Sequence, residues 1–350
     1  MGGEREFVMI HGIILGKFYP VHKGHLYLIE EAKKYCDRLT VICGSIQSEL
    51  IPGSLRVEWL KRLIKDDKTT AISITDENPQ FPEEDPNFWE IWKKSILSRL
   101  EFAPNIVFSS ENYGERLAQV LGASHLCIDL DRKKVPISAS RIREAPLLHW
   151  EFIPELIRPY FLKRVVLTGS ESVGKSTLAE RLANEFKTNW VPEFAREFLE
   201  SKPSPMTVDD FLPIAEGHLK SEIEASKTAN KFLFLDTDHL TTKIYLQHYF
   251  HSEDPRITKL AKNLYYDESL FLDIDIPWVA DSLRDLGKER EYMKQFFMNE
   301  MHLANRSFQM VQGNFKVRES LAIEIVKTLE SKPMEPKYFE SEQIQLRSFG

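Results

Sequence analysis

The stretch Val165-Val166-Leu167-Thr168-Gly169-Ser170-Glu171-Ser172-Val173-Gly174-Lys175-Ser176-Thr177 decides the architecture of the half of the chain in which it lies. An apolar run leads without a gap into G-x-x-x-x-G-K-[ST], and an amphipathic segment over residues 175–186 follows. That order reads as a strand, a phosphate-cradling loop and a helix. A glycine at each end lets the backbone curl so that successive N–H groups face inward. The helix contributes the positive end of its dipole, Lys175 reaches the β- and γ-phosphates, and the Ser176 hydroxyl is a ligand for Mg2+. The nucleotide-binding candidates are the whole run from Gly169 through Ser170, Glu171, Ser172, Val173, Gly174, Lys175 and Ser176 to Thr177.

On either side of this loop the sequence alternates short apolar strands with longer helical patterns. Before it, strands are expected at 12–16, 39–44, 71–75, 106–109 and 125–129, with helices at 25–36, 54–65, 87–100 and 112–121. After it, further strands are expected near 190–192, 231–236 and 270–275. Strands alternating with helices imply parallel βαβ units. The fold expected is α/β, with two doubly wound parallel-sheet domains whose ligands bind at the carboxyl ends of the strands. The alternation restarts after a segment carrying Pro154 and Pro159, which places the boundary near residue 160, within about five residues either way. The domains expected are 1–160 and 161–335, followed by a tail at 336–350 whose proline-containing, polar composition makes it a poor core candidate.

Bulk properties exclude several classes. A chain of 350 residues is long enough for two cores, and 42% apolar with 28% charged residues is ordinary globular composition. A net charge of −7 argues against broad adhesion to nucleic acid or anionic lipid, so neither is expected as a partner. The apolar runs are far too short to span a bilayer, and no charged-then-apolar leader opens the chain. Cys36, Cys43 and Cys127 form no C-x-x-C pair. Cys43 and Cys127 lie in strand-like runs and are expected as buried thiols in a reduced, cytoplasmic setting.

The half that carries the phosphate loop offers further candidates. The run Lys231-Phe-Leu-Phe-Leu-Asp236-Thr-Asp238 is a buried strand ending in two acids. Asp236 is a partner for Mg2+, directly or through water, and Asp238 accepts a substrate hydroxyl's proton or binds a ribose; the sequence leaves the two roles interchangeable. Glu193 and Arg196 follow the strand near 190–192, where a second substrate would approach, and Arg284 lies in a charged stretch suited to a lid over the triphosphate.

The first half carries Gly16-Lys17-Phe18-Tyr19-Pro20-Val21-His22-Lys23-Gly24-His25 between a strand and a helix. Two histidines three apart at a helix start project into the same space. Protonated or donating, they stabilise charge developing on a phosphate, aided by the helix dipole. Gly24 removes a side chain that would block close nucleotide approach. A metal reading is weak because no third ligand lies nearby. Over a hundred residues on, Ile137-Ser138-Ala139-Ser140-Arg141-Ile142-Arg143 sets two hydroxyls and two guanidinium groups at another helix start, a site for a polyphosphate.

The paired patterns G-x-F-x-P-x-H-x-G-H and I-S-x-S-x-I-R resemble the nucleotidylyltransferase superfamily. Joined to the phosphate loop, the chain closely resembles the bifunctional nicotinamide-mononucleotide (NMN) adenylyltransferase/ribosylnicotinamide kinase (NadR-like) family. Shared stretches include Gly16 to His25, Asp131-Arg132, the phosphate loop, Glu193-x-x-Arg196-Glu197-Phe198, Asp236-Thr237-Asp238 and residues 278–287, spread up to about residue 330. The resemblance implies ATP binding by Gly16, Lys17, Phe18, His22, Gly24, His25, Asp131, Arg132, Ser138, Ser140 and Arg143. It implies catalytic roles for Lys17, His22, His25, Lys175, Asp236 and Asp238. Trp89 or Trp92 would stack on the nicotinamide ring, although a Pro-flanked helix with both tryptophans in its core reads equally well. Implied partners are ATP, NMN, ribosylnicotinamide and NAD, with Mg2+ as cofactor; a homo-oligomer stays open.

Some members carry a helix-turn-helix domain before the histidine motif; about eleven residues precede the first strand here, so DNA-bound repression is not implied. Two alternatives compete with this resemblance. One keeps the fold with a different phosphorylated substrate at the first site, such as pantetheine phosphate, a flavin nucleotide or a sugar phosphate. The other makes the phosphate-loop domain a nucleotide sensor that transfers nothing.

Overall fold

A computed structural model describes residues 9–279 and 286–335. It consists of two compact units, one of residues 9–156 with 333–335 and one of residues 157–332.

In the first unit, β1 (His11–Gly16), β2 (Arg38–Gly44), β3 (Thr69–Ile74), β4 (Ile106–Ser109) and β5 (Ser124–Cys127) form one parallel sheet in the order β3-β2-β1-β4-β5. The crossovers are α1 (Lys23–Ala32), α2 (Gly53–Leu63), α3 (Phe88–Leu97) and α4 (Tyr113–Leu121), and α5 (Ala139–Glu144) follows β5. The central strands are covered on both faces, which is why β1 and β2 read as near-continuous apolar runs. Ile13, Ile42, Ile74, Trp92, Ile96 and Val107 belong to one core cluster of this unit. Helix α1 is shorter than expected because its last turn tightens into a 3-10 segment over Lys33–Tyr35.

One expectation about the cysteines is corrected. Cys43 is buried, and burial pushes its thiol up to about 11. Cys127 is exposed instead, because β5 is an edge strand with partly open faces.

The second unit opens with the single-turn α6 (Arg158–Phe161), whose Tyr160 and Phe161 are buried. Strands β6 (Lys163–Thr168), β7 (Trp190–Val191), β8 (Phe232–Asp236), β9 (Glu268–Leu272) and β10 (Gln309–Val311) are parallel, in the order β10-β9-β6-β8-β7. Helices α7 (Lys175–Glu185), α8 (Phe194–Ser201), α9 (Phe211–Ser226), α10 (His239–Phe250), α11 (Pro255–Asn263), α12 (Arg290–Leu303) and α13 (Phe315–Thr328) complete it. Every residue of β6 is buried, Lys163 and Arg164 included; Lys163 pairs with Asp267 at 2.9 Å and Arg164 with Glu222 at 2.9 Å. Strand β10 escaped the sequence reading: three residues beginning with an exposed glutamine carry too little periodicity. The chain leaves this unit after Lys332, and residues 333–335 belong to the first, where the Met334 N–H donates to the Arg143 carbonyl at 2.7 Å. The segment was expected in the second domain. Among the described residues no helix is long and apolar enough to cross a membrane.

Candidate active sites

In the first unit, strand order reverses at β1 and β4, and a cavity of about 530 Å³ opens beyond their carboxyl ends. His22 is the N-cap of α1. Its Nδ1 accepts the backbone N–H groups of Gly24 at 3.1 Å and His25 at 3.3 Å, and Nδ1 of His25 accepts the His22 N–H at 3.3 Å. With both Nδ1 atoms accepting, the bonding pattern assigns the proton of each neutral ring to Nε2. The rings stack at 3.7 Å between centroids. Burial, followed by the nearby Arg132, pushes His22 down to about 3; burial, His22 and Arg132 hold His25 well below the ordinary range. Both histidines are thus neutral Nε2–H donors, which selects the donating alternative over the protonated one.

Gly24 has a more local role than expected. A Cβ there would stand 2.9 Å from the His22 ring, so the cap itself requires the glycine. A Cβ on Gly16 would press on the Phe18 ring at 3.3 Å, and Phe18 is buried with a left-handed φ of 49°.

Among the described residues three cations border this cavity, Lys17, Arg132 and Arg143. Lys17 Nζ stands 3.3 Å from Glu49, while the fully buried Arg56 pairs with Glu49 and donates to the Lys17 carbonyl. Arg143 donates to the Tyr19 carbonyl and, at 3.2 Å, to Ser140 Oγ, and its guanidinium lies 4.5 Å from the Tyr19 ring centroid. Arg132 pairs with Glu111 at 3.0 Å. Ser138 caps α5 by accepting from the Arg141 N–H at 3.4 Å.

The cavity wall brings together Gly16, Lys17, Phe18, His22, Gly24, His25, Arg132, Ser138, Ser140 and Arg143. Asp131 is not among them; it is exposed and paired with Lys133 at 2.8 Å. Trp89 and Trp92 also reach the wall. Trp92 is mainly a core residue, its Nε1 donating to the Pro79 carbonyl at 2.9 Å, whereas Trp89 is only partly buried, edge-on to Phe88 at 5.0 Å. The sequence reading missed Tyr19, although it stands inside the histidine motif, and missed Arg56 and Glu49, which carry no local signal.

In the second unit, a cavity of about 250 Å³ is lined by the loop from Glu171 to Thr177 and by Glu193 and Arg196. Gly169 has φ 131°, and a Cβ on it would lie 2.8 Å from the Leu272 carbonyl; Gly174, at φ 86°, is the N-cap of α7. Ser170, the second residue of the loop, is buried. Ser172 Oγ accepts the Val279 N–H at 2.8 Å. Lys175 is buried, and its ammonium donates to the carbonyls of Gly169 at 3.1 Å and Ser170 at 2.9 Å.

Asp236 ends β8 beside β6, in register with Leu167. Burial and the Glu193 carboxylate push it up to about 6, against Lys175, Arg196 and a hydrogen bond from Ser176. Its Oδ1 is buried without a hydrogen-bond partner among the described residues. An orphaned carboxylate oxygen beside a hydroxyl at the mouth of a phosphate loop fits a hard divalent cation that takes its remaining ligands from phosphate and water. Among the described residues no group of three or more His, Cys, Asp or Glu stands close enough to bind a metal by protein ligands alone.

The structure does not bring Asp238 to this cavity. Burial pulls its carboxyl upward, but Arg306 and Thr241 outweigh that and hold it below the usual range. One oxygen accepts from the Thr241 N–H and hydroxyl, both at 2.9 Å, which makes Asp238 the N-cap of α10, and the other pairs with Arg306. Glu193 is the N-cap of α8, and Arg196 pairs with Glu200 at 3.6 Å. Arg284 lies outside the described residues. His218, Tyr245 and Tyr249, absent from the sequence reading, also line the cavity, and the Tyr249 hydroxyl donates to Glu171 at 3.5 Å.

Comparison with known proteins agrees with this division. Residues 13–145 match the Cytidylyltransferase-like family and residues 164–318 the family described as AAA domain. The trifunctional NAD biosynthesis/regulator protein NadR of Salmonella typhimurium is 31% identical over 341 residues, 91% of this chain and 83% of that protein. Its Escherichia coli namesake is 31% identical over 343 residues, with the same coverage of 91% and 83%. Two solved structures share the fold: NadR in complex with NAD and AMP-PNP (TM-score 0.77, 22% identity) and NadR in complex with NR (TM-score 0.74, 21% identity). Each covers 94% of this chain and 98% of the other. The identity to both curated proteins, sustained over nine-tenths of the sequence, shows that this chain belongs to the NadR family.

Proposed function

We propose that the chain is a bifunctional enzyme of NAD biosynthesis that phosphorylates ribosylnicotinamide in its second unit and adenylylates the resulting NMN in its first. The observation that carries this reading is that each unit has its own cavity lined by the residues of its own phosphate-handling motif. The family relatives are NAD biosynthesis proteins, and the related structures hold NR in one case and NAD with AMP-PNP in the other.

In the second unit the 5′-hydroxyl of the nucleoside attacks the γ-phosphate of ATP, ADP leaves, and the hydroxyl's proton passes to the transferred phosphate and from there to solvent. The loop N–H groups and Lys175 hold the β- and γ-phosphates, exchanging the lysine's two carbonyl contacts for phosphate oxygens. Ser176 and Asp236 would hold Mg2+, which when bound offsets phosphate charge. Asp236 lies close enough to Glu193 to feel its charge, so it also stands near the approaching hydroxyl. Asp238, bound to Arg306 and Thr241, keeps the start of α10 in place rather than touching substrate.

In the first unit the phosphate of NMN attacks the α-phosphate of a second ATP, forming NAD and releasing pyrophosphate. A phosphate nucleophile is already anionic at neutral pH, so no strong general base is needed. His22 and His25 donate through Nε2, and Lys17 and Arg143 offset the charge that develops on the transferring phosphate. Trp89, the more open of the two tryptophans, offers its face to the nicotinamide ring. Consumption of ATP and precursors of NAD places the enzyme in the cytoplasm on this reading.

Product analysis by mass spectrometry with ribosylnicotinamide, ATP and Mg2+ tests both steps. Wild type yields NAD, Lys175→Ala yields neither NMN nor NAD, and His25→Ala accumulates NMN. Turnover of ribosylnicotinamide by Lys175→Ala at the wild-type rate, or no turnover of NMN by wild type, would overturn the assignment.

A further inference from the structure

The second cavity holds a buried side chain that the mechanism above does not use. Helix α9 carries His218 to the wall, 2% exposed, and neither ring nitrogen has a hydrogen-bond partner among the described residues. The Thr237 carbonyl lies beside the ring and can take up at most its N–H, at less than full hydrogen-bond geometry, which leaves the accepting nitrogen without a partner among the described residues. The contrast with His239, packed edge-to-face against it at 5.5 Å, is informative. Both nitrogens of His239 are engaged, by the Tyr266 hydroxyl at 3.4 Å and the Ala215 carbonyl at 3.1 Å. That histidine is structural, whereas His218 keeps at least its accepting nitrogen unsatisfied among the described residues.

The surroundings restrict what can satisfy it. Gly217, the preceding residue, has no room for a side chain: a Cβ would lie 2.1 Å from the Phe194 ring. The start of α8, with Glu193 and Arg196, is thereby seated over residues 217–218. Burial keeps the imidazole neutral despite the carboxylates of Glu222, Asp238 and Glu193 around it. Glu222 and Asp238 are already paired with Arg164 and Arg306, so neither histidine nor acids here offer a cation to a phosphate, and Phe211, Tyr245 and Tyr249 on the same cavity suit a flat ring. A neutral imidazole offers one donor and one acceptor, and a hydroxyl can meet either.

We propose that His218 is a substrate-binding residue that hydrogen-bonds a ribose hydroxyl of the nucleoside phosphorylated in the second unit. This deepens the kinase assignment and rests on it. Leaving a buried nitrogen unpaired is costly, so a substrate lacking the hydroxyl is rejected by a site that retains the histidine.

The test compares ribosylnicotinamide with its 2′-deoxy and 3′-deoxy analogues, in wild type, His218→Phe and His218→Asn. A panel of ordinary ribonucleosides and their deoxy counterparts runs beside them. Wild type should lose about tenfold to hundredfold in kcat/KM when one of the hydroxyls is absent. His218→Phe should treat ribosylnicotinamide and the analogue that wild type rejects alike, with KM for ATP unchanged, and His218→Asn should recover part of the discrimination. AMP-PNP binding at the wild-type affinity shows that each variant is folded; if His218→Phe fails this control, His218→Asn carries the comparison. A wild type indifferent to both hydroxyls, or a variant that discriminates as wild type does, would overturn the proposal. Turnover of another nucleoside in place of ribosylnicotinamide would sink the substrate assignment while leaving the histidine's role readable on that nucleoside. No turnover of any nucleoside would sink both.

Discussion

His22 and His25 hold each other in place: each ring accepts a hydrogen bond from the other's backbone N–H, and the two imidazoles stack at 3.7 Å. The reciprocal pair caps α1 and leaves both Nε2–H groups as donors.

This arrangement predicts an acid-labile first unit. His22 titrates at about 3 when folded but near its ordinary 6.5 when unfolded, so below 6.5 the unfolded chain binds the proton first. Stability contributed by the neutral ring is complete above 6.5 and is lost as pH falls toward 3. Between pH 7.5 and 5 the expected loss is about 2 kcal/mol. His22→Asn keeps a capping acceptor and removes the titration. Urea unfolding of the first unit at the two pH values should therefore show a smaller pH-dependent loss in the variant, by roughly that amount.

Gly24→Ala should disturb the cap before it disturbs any ligand. The added methyl stands 2.9 Å from the His22 ring, which must turn and give up its two N–H bonds. We expect about 1–3 kcal/mol of destabilisation. Adenylyl transfer should fall at least tenfold, on the order of one lost donor. Phosphorylation of ribosylnicotinamide by the same preparation should be unchanged, and an equal loss in both reactions would contradict this account.

Tyr19 organises cations in the first unit. Arg143 lies over its ring at 4.5 Å and Arg56 at 5.2 Å, and its hydroxyl accepts the Leu50 N–H at 2.8 Å. Tyr19→Phe keeps the face and should keep most of the activity. Tyr19→Leu removes it and should cost about 1 kcal/mol of orientation for each cation, seen as roughly a thirtyfold lower kcat/KM for adenylyl transfer. Equal activity in the two variants would remove the ring from the account.

Asp236 and Asp238 are two residues apart and should separate cleanly. Asp236→Asn is expected to lower phosphorylation about a hundredfold or more, with no loss of thermal stability, because burial and Glu193 already disfavour its charge. Asp238→Asn keeps the helix cap but leaves the Arg306 guanidinium without its acid, so the unit should lose about 3 kcal/mol. Calorimetry and steady-state kinetics on the pair would show the reverse pattern if Asp238 were the residue that meets substrate.

Much of the first site was legible because its residues come in two short runs. The strand-loop-helix order around Gly16 to His25 and the serine-arginine run at 138–143 each supply several neighbours at once, and the parallel sheet brings both runs to one edge. Asp131 belongs to neither run and stays in solvent, paired with Lys133. Trp92 shows the limit of composition: the same ring serves the core and the cavity wall, and nothing in its neighbours distinguishes the two uses.

The sequence alone determined the two α/β units and the glycine positions of the phosphate loop, because period, turn chemistry and helix starts are local properties of consecutive residues. It also brought out Lys175, Ser176 and Asp236, whose placement follows directly from the ends of buried strands. Tertiary structure decided the rest. Asp236 and Asp238 read alike in the chain, and only packing shows that one carboxylate keeps an oxygen without a partner among the described residues, beside Ser176, while the other is bound by Arg306, 68 residues away. His218 was silent for the same reason. A single histidine in a helix carries no pattern, and its meaning comes from the buried wall on which the fold places it.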